Sequence, residues 1–169
     1  MTAAAWRDRL GWLLPLLSGL LAVLAVVLPG GLALAPLLSL AVIVQWSLLA
    51  PAFLPYGSVF LVGLALDILT GLPPGLNALT FLLAAAAARN VRPYLLPHGF
   101  VLSWAAFAAM ALAASLLRWL LATLLWGHLF PLRPCLAEAA LTAACYPAVA
   151  WLLAGPGRLL TPDPHAAGG

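Results

Sequence analysis

Asp67, Asn77, Arg118 and Glu138 are the side chains of this 169-residue sequence best placed to do chemistry, because each stands in or beside a long apolar run. A carboxylate at the centre of a lipid-embedded helix costs roughly 2.5 to 3.5 kcal/mol on insertion scales, so Asp67 implies a partner, a water-lined cavity or a specific job. An arginine fork between two carboxylates, with an amide at hand, lets each desolvated group keep its hydrogen bonds. The expectation is a polar cluster with a structural or coupling role, in which Asp67 contacts Arg118 directly or through water and Asn77 or Glu138 assists. Plainer readings stay open: Arg118 snorkels to the outer headgroups, Glu138 favours the positive end of its helix, and Asp67 is protonated.

Other chemistry finds little support. The serines are scattered, no Gly-x-Ser-x-Gly occurs and no histidine falls at mid-membrane depth, so no nucleophile has a base and an enzyme is not expected. His98, His128 and His165 occupy separate loop or tail contexts without a Cys or carboxylate at ligand spacing, so neither a metal nor a cofactor is expected. Cys135 and Cys145 lie ten residues apart on what reads as one helix. That puts their Cα atoms about 15 Å apart, beyond disulfide reach, and both read as packing thiols. A net charge of +3, spread over separate loops, gives no patch for a phosphate backbone and excludes nucleic acid.

The elements that must position the polar residues read as membrane segments. The chain is 66% hydrophobic and 7% charged, against about 25% charged in soluble domains. Its mean hydropathy is +1.14. Six apolar runs are candidates for crossing the bilayer: 10–28, 32–50, 56–70, 75–88, 99–126 and 134–154. Pro29-Gly30-Gly31, Pro51 with Pro55, Gly71 to Gly75, Arg92-Pro93 with Pro97, and Pro131 with Pro134 punctuate their ends. The expected fold is an all-α polytopic membrane protein, a six-helix transmembrane bundle in a single domain over 1–155. A disordered cytoplasmic tail over 156–169 is expected to follow. The third and fourth runs have 15 and 14 residues, which leaves a re-entrant hairpin open as their form.

Arg7, Arg9, Arg89, Arg92 and Arg158 fall on one side of such a bundle and Arg133 on the other, which predicts both termini in the cytoplasm. Ala33-Leu34-Ala35 resembles a cleavage box, but the first apolar run has 19 residues and is longer than a usual signal core, so an uncleaved span is expected. Trp6, Trp12, Trp46, Tyr56, Tyr94, Trp104 and Trp126 fall near predicted interfaces and read as anchors.

Depth ties the polar residues together. Asp67 lies four residues before the outer end of the third run, Asn77 just inside the fourth, and Glu138 one turn into the sixth. Arg118 sits about 12 Å below Trp126 at 1.5 Å per residue, so all four share the outer half of the bilayer. Gly63, Asp67 and Gly71 follow at i, i+4 and i+8 and line one face, where missing side chains let a neighbouring helix approach. Gly63, Gly71 and Gly75 are therefore read as a helix-packing or partner face.

The segment from Gly63 through Asp67, Gly71 and Gly75 to Asn77 and Leu79 resembles the hallmark segment of the bacterial rod shape-determining MreD family, most like its proteobacterial members. Trp46 with Pro51, Ser103-Trp104, Arg118-Trp119-Leu120, Leu132-Arg133-Pro134 and Tyr146-Pro147 fit the same family, so the resemblance covers nearly the whole chain. It implies a non-enzymatic scaffold of the cell-elongation complex in the bacterial inner membrane. Such a scaffold binds MreC, works with MreB, RodZ, RodA and a class B penicillin-binding protein, and helps couple peptidoglycan synthesis to the MreB filament. It also implies a helical bundle similar to the substrate-binding subunits of energy-coupling-factor transporters. One departure is that the loop holding Arg89 and Arg92 is less basic than the family leads one to expect. The rival reading is a solute- or vitamin-binding subunit of such a transporter, since short helices around an outward polar cluster also describe a ligand pocket. The short loops at 29–31, 71–74 and 127–133 offer little to cap a ligand and favour the scaffold.

Overall fold

The computed structural model describes residues 15, 17–21, 35–95 and 99–160. Among these, five helices are described in full: α1 (Ala35–Leu49), α2 (Tyr56–Thr70), α3 (Leu76–Leu95), α4 (Phe100–Trp126) and α5 (Leu132–Leu160), with a 3-10 turn (Pro51–Phe53) between α1 and α2. α1 is apolar on every side and is buried accordingly: Leu40, Ala41, Ile43, Val44 and Trp46 are almost wholly shielded. Around it pack two antiparallel hairpins, α2 with α3 and α4 with α5. Each hairpin closes through a short link, which forces neighbouring helices into antiparallel contact.

Polar cross-links fix α1 among its neighbours. The Tyr146 hydroxyl of α5 donates to Gln45 Oε1 of α1 at 2.7 Å, and the Tyr146 ring stacks on Phe107 of α4 with centroids 4.1 Å apart. One turn further on, at the C-terminus of α1, Arg92 Nε donates 2.7 Å to the Leu48 carbonyl, one of the groups a helix end leaves without an internal partner. Arg89 donates to the Leu54 carbonyl and lies over the Tyr56 ring, 3.9 Å from its centroid. The two arginines thus staple α3 to the corner where α1 turns into α2.

The all-α expectation stands, but the six-span transmembrane bundle does not. Among the described residues only two helices are long and apolar enough to cross a membrane, Phe100–Trp126 and the Leu132–Leu153 part of α5. Length is the reason for α1 and α2: at 15 residues each they span about 22 Å, short of a hydrocarbon core of about 30 Å. α3 has 20 residues, but its last turns carry Arg89, Asn90, Arg92 and Pro93. The similarity to energy-coupling-factor subunits was tied to that bundle and falls with it. The first predicted run, 10–28, lies outside the described residues apart from 15 and 17–21, where Gly19 sits against Val62 of α2. α5 continues to Leu160 and passes through the predicted start of the tail at 156, while 161–169 lie outside the described residues.

Candidate functional site: the Asp67 turn and the Arg118–Glu138 pocket

The link between α2 and α3 is built by two glycines in left-handed conformations. Gly71, at φ 67°, ends α2. Its N–H donates to the Ile68 carbonyl and the Leu72 N–H donates 3.0 Å to the Asp67 carbonyl, the bond pair of a Schellman stop. Gly75, at φ 105°, stands where α3 needs its capping residue but has no side chain to offer. Asp67 supplies the missing acceptor from the preceding helix. Its Oδ2 accepts the Gly75 N–H at 2.9 Å and the Ala78 N–H at 3.4 Å, and its Oδ1 accepts the Asn77 N–H at 2.9 Å. The Asn77 side-chain amide adds a fourth bond to Oδ1 at 2.8 Å.

Three of the donors are main-chain groups that the start of α3 would otherwise leave orphaned, and the positive end of its dipole favours the carboxylate. This answers how a fully buried Asp67 is tolerated. Gly63 makes the geometry possible from one turn below. A Cβ there would lie 2.7 Å from Ala78 N and 3.0 Å from the Asn77 carbonyl carbon, so only hydrogen lets α2 and the start of α3 come this close.

Arg118 of α4 and Glu138 of α5 form a separate unit. Arg118 Nη1 donates 2.9 Å to Glu138 Oε1, with side chains 16% and 25% exposed. The pair borders an open cavity of about 310 Å³, lined also by Leu72 and Leu76 from the Asp67 turn and by Trp119, Phe130, Pro131 and Pro134. The Trp119 indole N–H donates to the Phe130 carbonyl at 3.0 Å and holds the α4–α5 link over the cavity. Ser115 also lines it, 2% exposed, and neither its Oγ nor Arg118 Nε has a hydrogen-bond partner among the described residues.

The four predicted polar residues therefore collect at one end of the helices, yet as two pairs. Asp67 holds Asn77, Arg118 holds Glu138, and no direct contact joins Asp67 to Arg118. Main-chain N–H groups saturate the carboxylate before any guanidinium is needed. Of the glycines, Gly63 faces α3 inside the fold, whereas Gly71 and Gly75 shape the turn and have open space where a Cβ would go. Trp46, read as an interfacial anchor, is instead 1% exposed in the core, its indole N–H bonded to Ser18 Oγ at 2.9 Å.

Sequence reasoning missed Ser115 and the Gln45–Tyr146 bond. Ser115 had one usable signal, its place a single turn before Arg118. Gln45 was the only amide inside the second apolar run.

Set against known protein families, curated proteins and solved structures, the chain matches none. The functional reading rests on the residues and their geometry.

Proposed function

We propose that this chain is a non-enzymatic scaffold of the bacterial cytoplasmic membrane, of the MreD kind its sequence resembles. It holds the transmembrane helix of MreC and so helps couple peptidoglycan synthesis, with RodA and its class B penicillin-binding partner, to the MreB filament and RodZ. In this reading α4 and α5 are embedded in lipid, with the 127–131 link outside and both termini in the cytoplasm.

The observation that supports it is the apolar face between α3 and α4. Two adjoining clefts run along it, one of about 340 Å³ floored by Ala84, Ala87, Ala113 and Ala114, the other of about 410 Å³ walled by Leu79, Leu121 and Leu124. Leu79, Leu83 and Leu124 stand exposed there at 45%, 51% and 69%. Such surface suits lipid or another apolar helix, and a floor of alanines admits the close approach on which helix association in lipid depends.

The test is Ala87→Leu with Ala113→Leu, which fills the floor from the outside and leaves the Asp67 turn untouched. We expect normal amounts of protein in the membrane, MreC recovery in a pull-down reduced at least about tenfold, and rod-shaped cells becoming round. A periplasm-active reporter in the 127–131 link, active in both proteins, controls the orientation. Unchanged MreC recovery and cell shape would refute the scaffold, and loss of uptake of a small solute in the same cells would point to the transporter subunit.

A further inference from the structure

The cavity beside Arg118 and Glu138 has more hydrogen-bonding capacity than the protein uses. Arg118 Nη1 is spent on Glu138, but Arg118 Nε and Ser115 Oγ are shielded from solvent without a partner among the described residues, and both residues line the cavity. Arg118 Nε and Ser115 Oγ lie shielded behind the cavity wall, so what the Arg118–Glu138 pair can offer a ligand is the exposed remainder of its guanidinium and carboxylate, whose one mutual bond leaves further donors and acceptors free. Residue spacing puts Ser115 and Arg118 on one side of α4, since Ser115 precedes Arg118 by three positions.

Charge narrows the ligand further. The cavity wall holds one cation and one anion, Arg118 and Glu138, and no other ionisable carboxylate or base. A simple anion drawn to Arg118 would meet Glu138, and a simple cation drawn to Glu138 would meet Arg118. Around a partly exposed pair solvent softens either mismatch without removing it. A zwitterion meets both: its anionic oxygens face Arg118 while its ammonium faces Glu138. The rest of the wall is apolar, with Leu72, Leu76 and Phe130 beside the ring of Trp119, whose own N–H is already bonded. About 310 Å³ is near the lower end of small-ligand sites, enough for a headgroup and the first carbons attached to it.

We propose that this cavity binds a zwitterionic ammonium–phosphate group, such as the ethanolamine phosphate headgroup of a phospholipid or the same group free in solution. The site shares Leu76 with the larger cleft of the α3–α4 face but none of the alanines of its floor, and it does not depend on MreC binding.

The experiment uses the full chain, purified and stripped of lipid in mild detergent. Binding of phosphatidylethanolamine, of anionic phosphatidylglycerol and of free phosphoethanolamine is measured by native mass spectrometry and by thermal shift. We expect phosphatidylethanolamine to be retained at least about tenfold over phosphatidylglycerol. The double substitution Arg118→Leu/Glu138→Leu removes both charges together and so leaves neither one unpaired. Ala122→Phe, at a half-buried wall position, fills the space with both charges in place. Both variants should lose the preference, with MreC recovery unchanged. Binding of the lipid without the free headgroup assigns the membrane as source, and binding of the free headgroup assigns solution; either supports the chemistry. Equal or better retention of phosphatidylglycerol, or a preference that survives in Ala122→Phe, overturns the proposal.

Discussion

Asp67 and the Arg118–Glu138 pair sit at the same end of the helices and answer the same problem, a charge in apolar surroundings, in opposite ways. Asp67 is fully buried and saturated: four N–H groups converge on two oxygens, and three of them belong to the backbone it caps. The arginine–glutamate pair is partly exposed, shares one bond, and leaves a guanidinium nitrogen and a neighbouring hydroxyl without partners. The Asp67 carboxylate has nothing left to offer a ligand, and the one unpaired oxygen beside it, Asn77 Oδ1, is buried and lines none of the three clefts, so this turn holds structure. An unsaturated site bordering a cavity can recognise something. Carboxylates that look alike in sequence thus divide between a structural and a recognition role.

The comparison breaks most visibly at Asp67. Replacing it with alanine leaves the Gly75, Asn77 and Ala78 N–H groups without an acceptor. Each buried orphan costs about 1 to 3 kcal/mol, so the total approaches a large share of the 5 to 15 kcal/mol by which proteins are stable. We expect Asp67→Ala to be recovered from membranes at a small fraction of the normal yield, with thermal unfolding in detergent at a much lower temperature. Asp67→Asn keeps one acceptor oxygen and should fall between the two. Normal stability of the alanine variant would mean that the carboxylate is not what holds α3 against α2.

Gly63 comes next. A methyl group there meets backbone atoms of Ala78 and Asn77, which cannot swing aside as a side chain can, and overpacking of this kind costs about 1 to 3 kcal/mol. Gly63→Ala should therefore lower the unfolding temperature. It should also lift the start of α3 away from Asp67, so its effect and that of Asp67→Asn should be less than additive, because the two damage the same contact. Full additivity in a double-mutant cycle read by thermal or denaturant unfolding would separate the glycine from the cap.

Much of the scaffold was legible because its punctuation is chemical. Pro55 and Gly71 bracket α2 at 56–70 as expected, since a proline suits the entry to a helix and a left-handed glycine its exit. α4 begins at Phe100 and ends at Trp126 for the same kind of reason, with Gly99 before it and Gly127, at φ 66°, after it. Apolar length misled elsewhere, because a run of hydrophobic letters does not say whether it faces lipid or a core. α1 read as a span, yet it is the helix the others bury. Pro93 and Pro134 do fall within two residues of helix ends, and Pro147 lies inside α5 as the sixth run has it. The partner of Asp67 was illegible for a deeper reason: main-chain N–H groups are common to every residue but proline, so no letter marks them. The pair of Arg118 with Glu138 was within reach of depth arithmetic, which put both residues in one layer without deciding which carboxylate the arginine would take.

The smallest effect is also the sharpest test of the division between the two sites. Arg118→Gln removes the cation from a partly exposed pair, whose contribution solvent screens to about 1 kcal/mol or less. Asp67 and Arg118 share no hydrogen-bond partner, although Leu72 and Leu76 of the Asp67 turn line the cavity beside Arg118. In a cycle of Asp67→Asn, Arg118→Gln and the double variant, followed by unfolding in detergent, the losses should add to within about 0.5 kcal/mol. A fork spanning both carboxylates behaves differently: once the aspartate is gone, the arginine has less to lose, and the double variant is no worse than the poorer single one. That outcome would join the two sites into one network and withdraw the claim that the cavity is free to choose its own ligand.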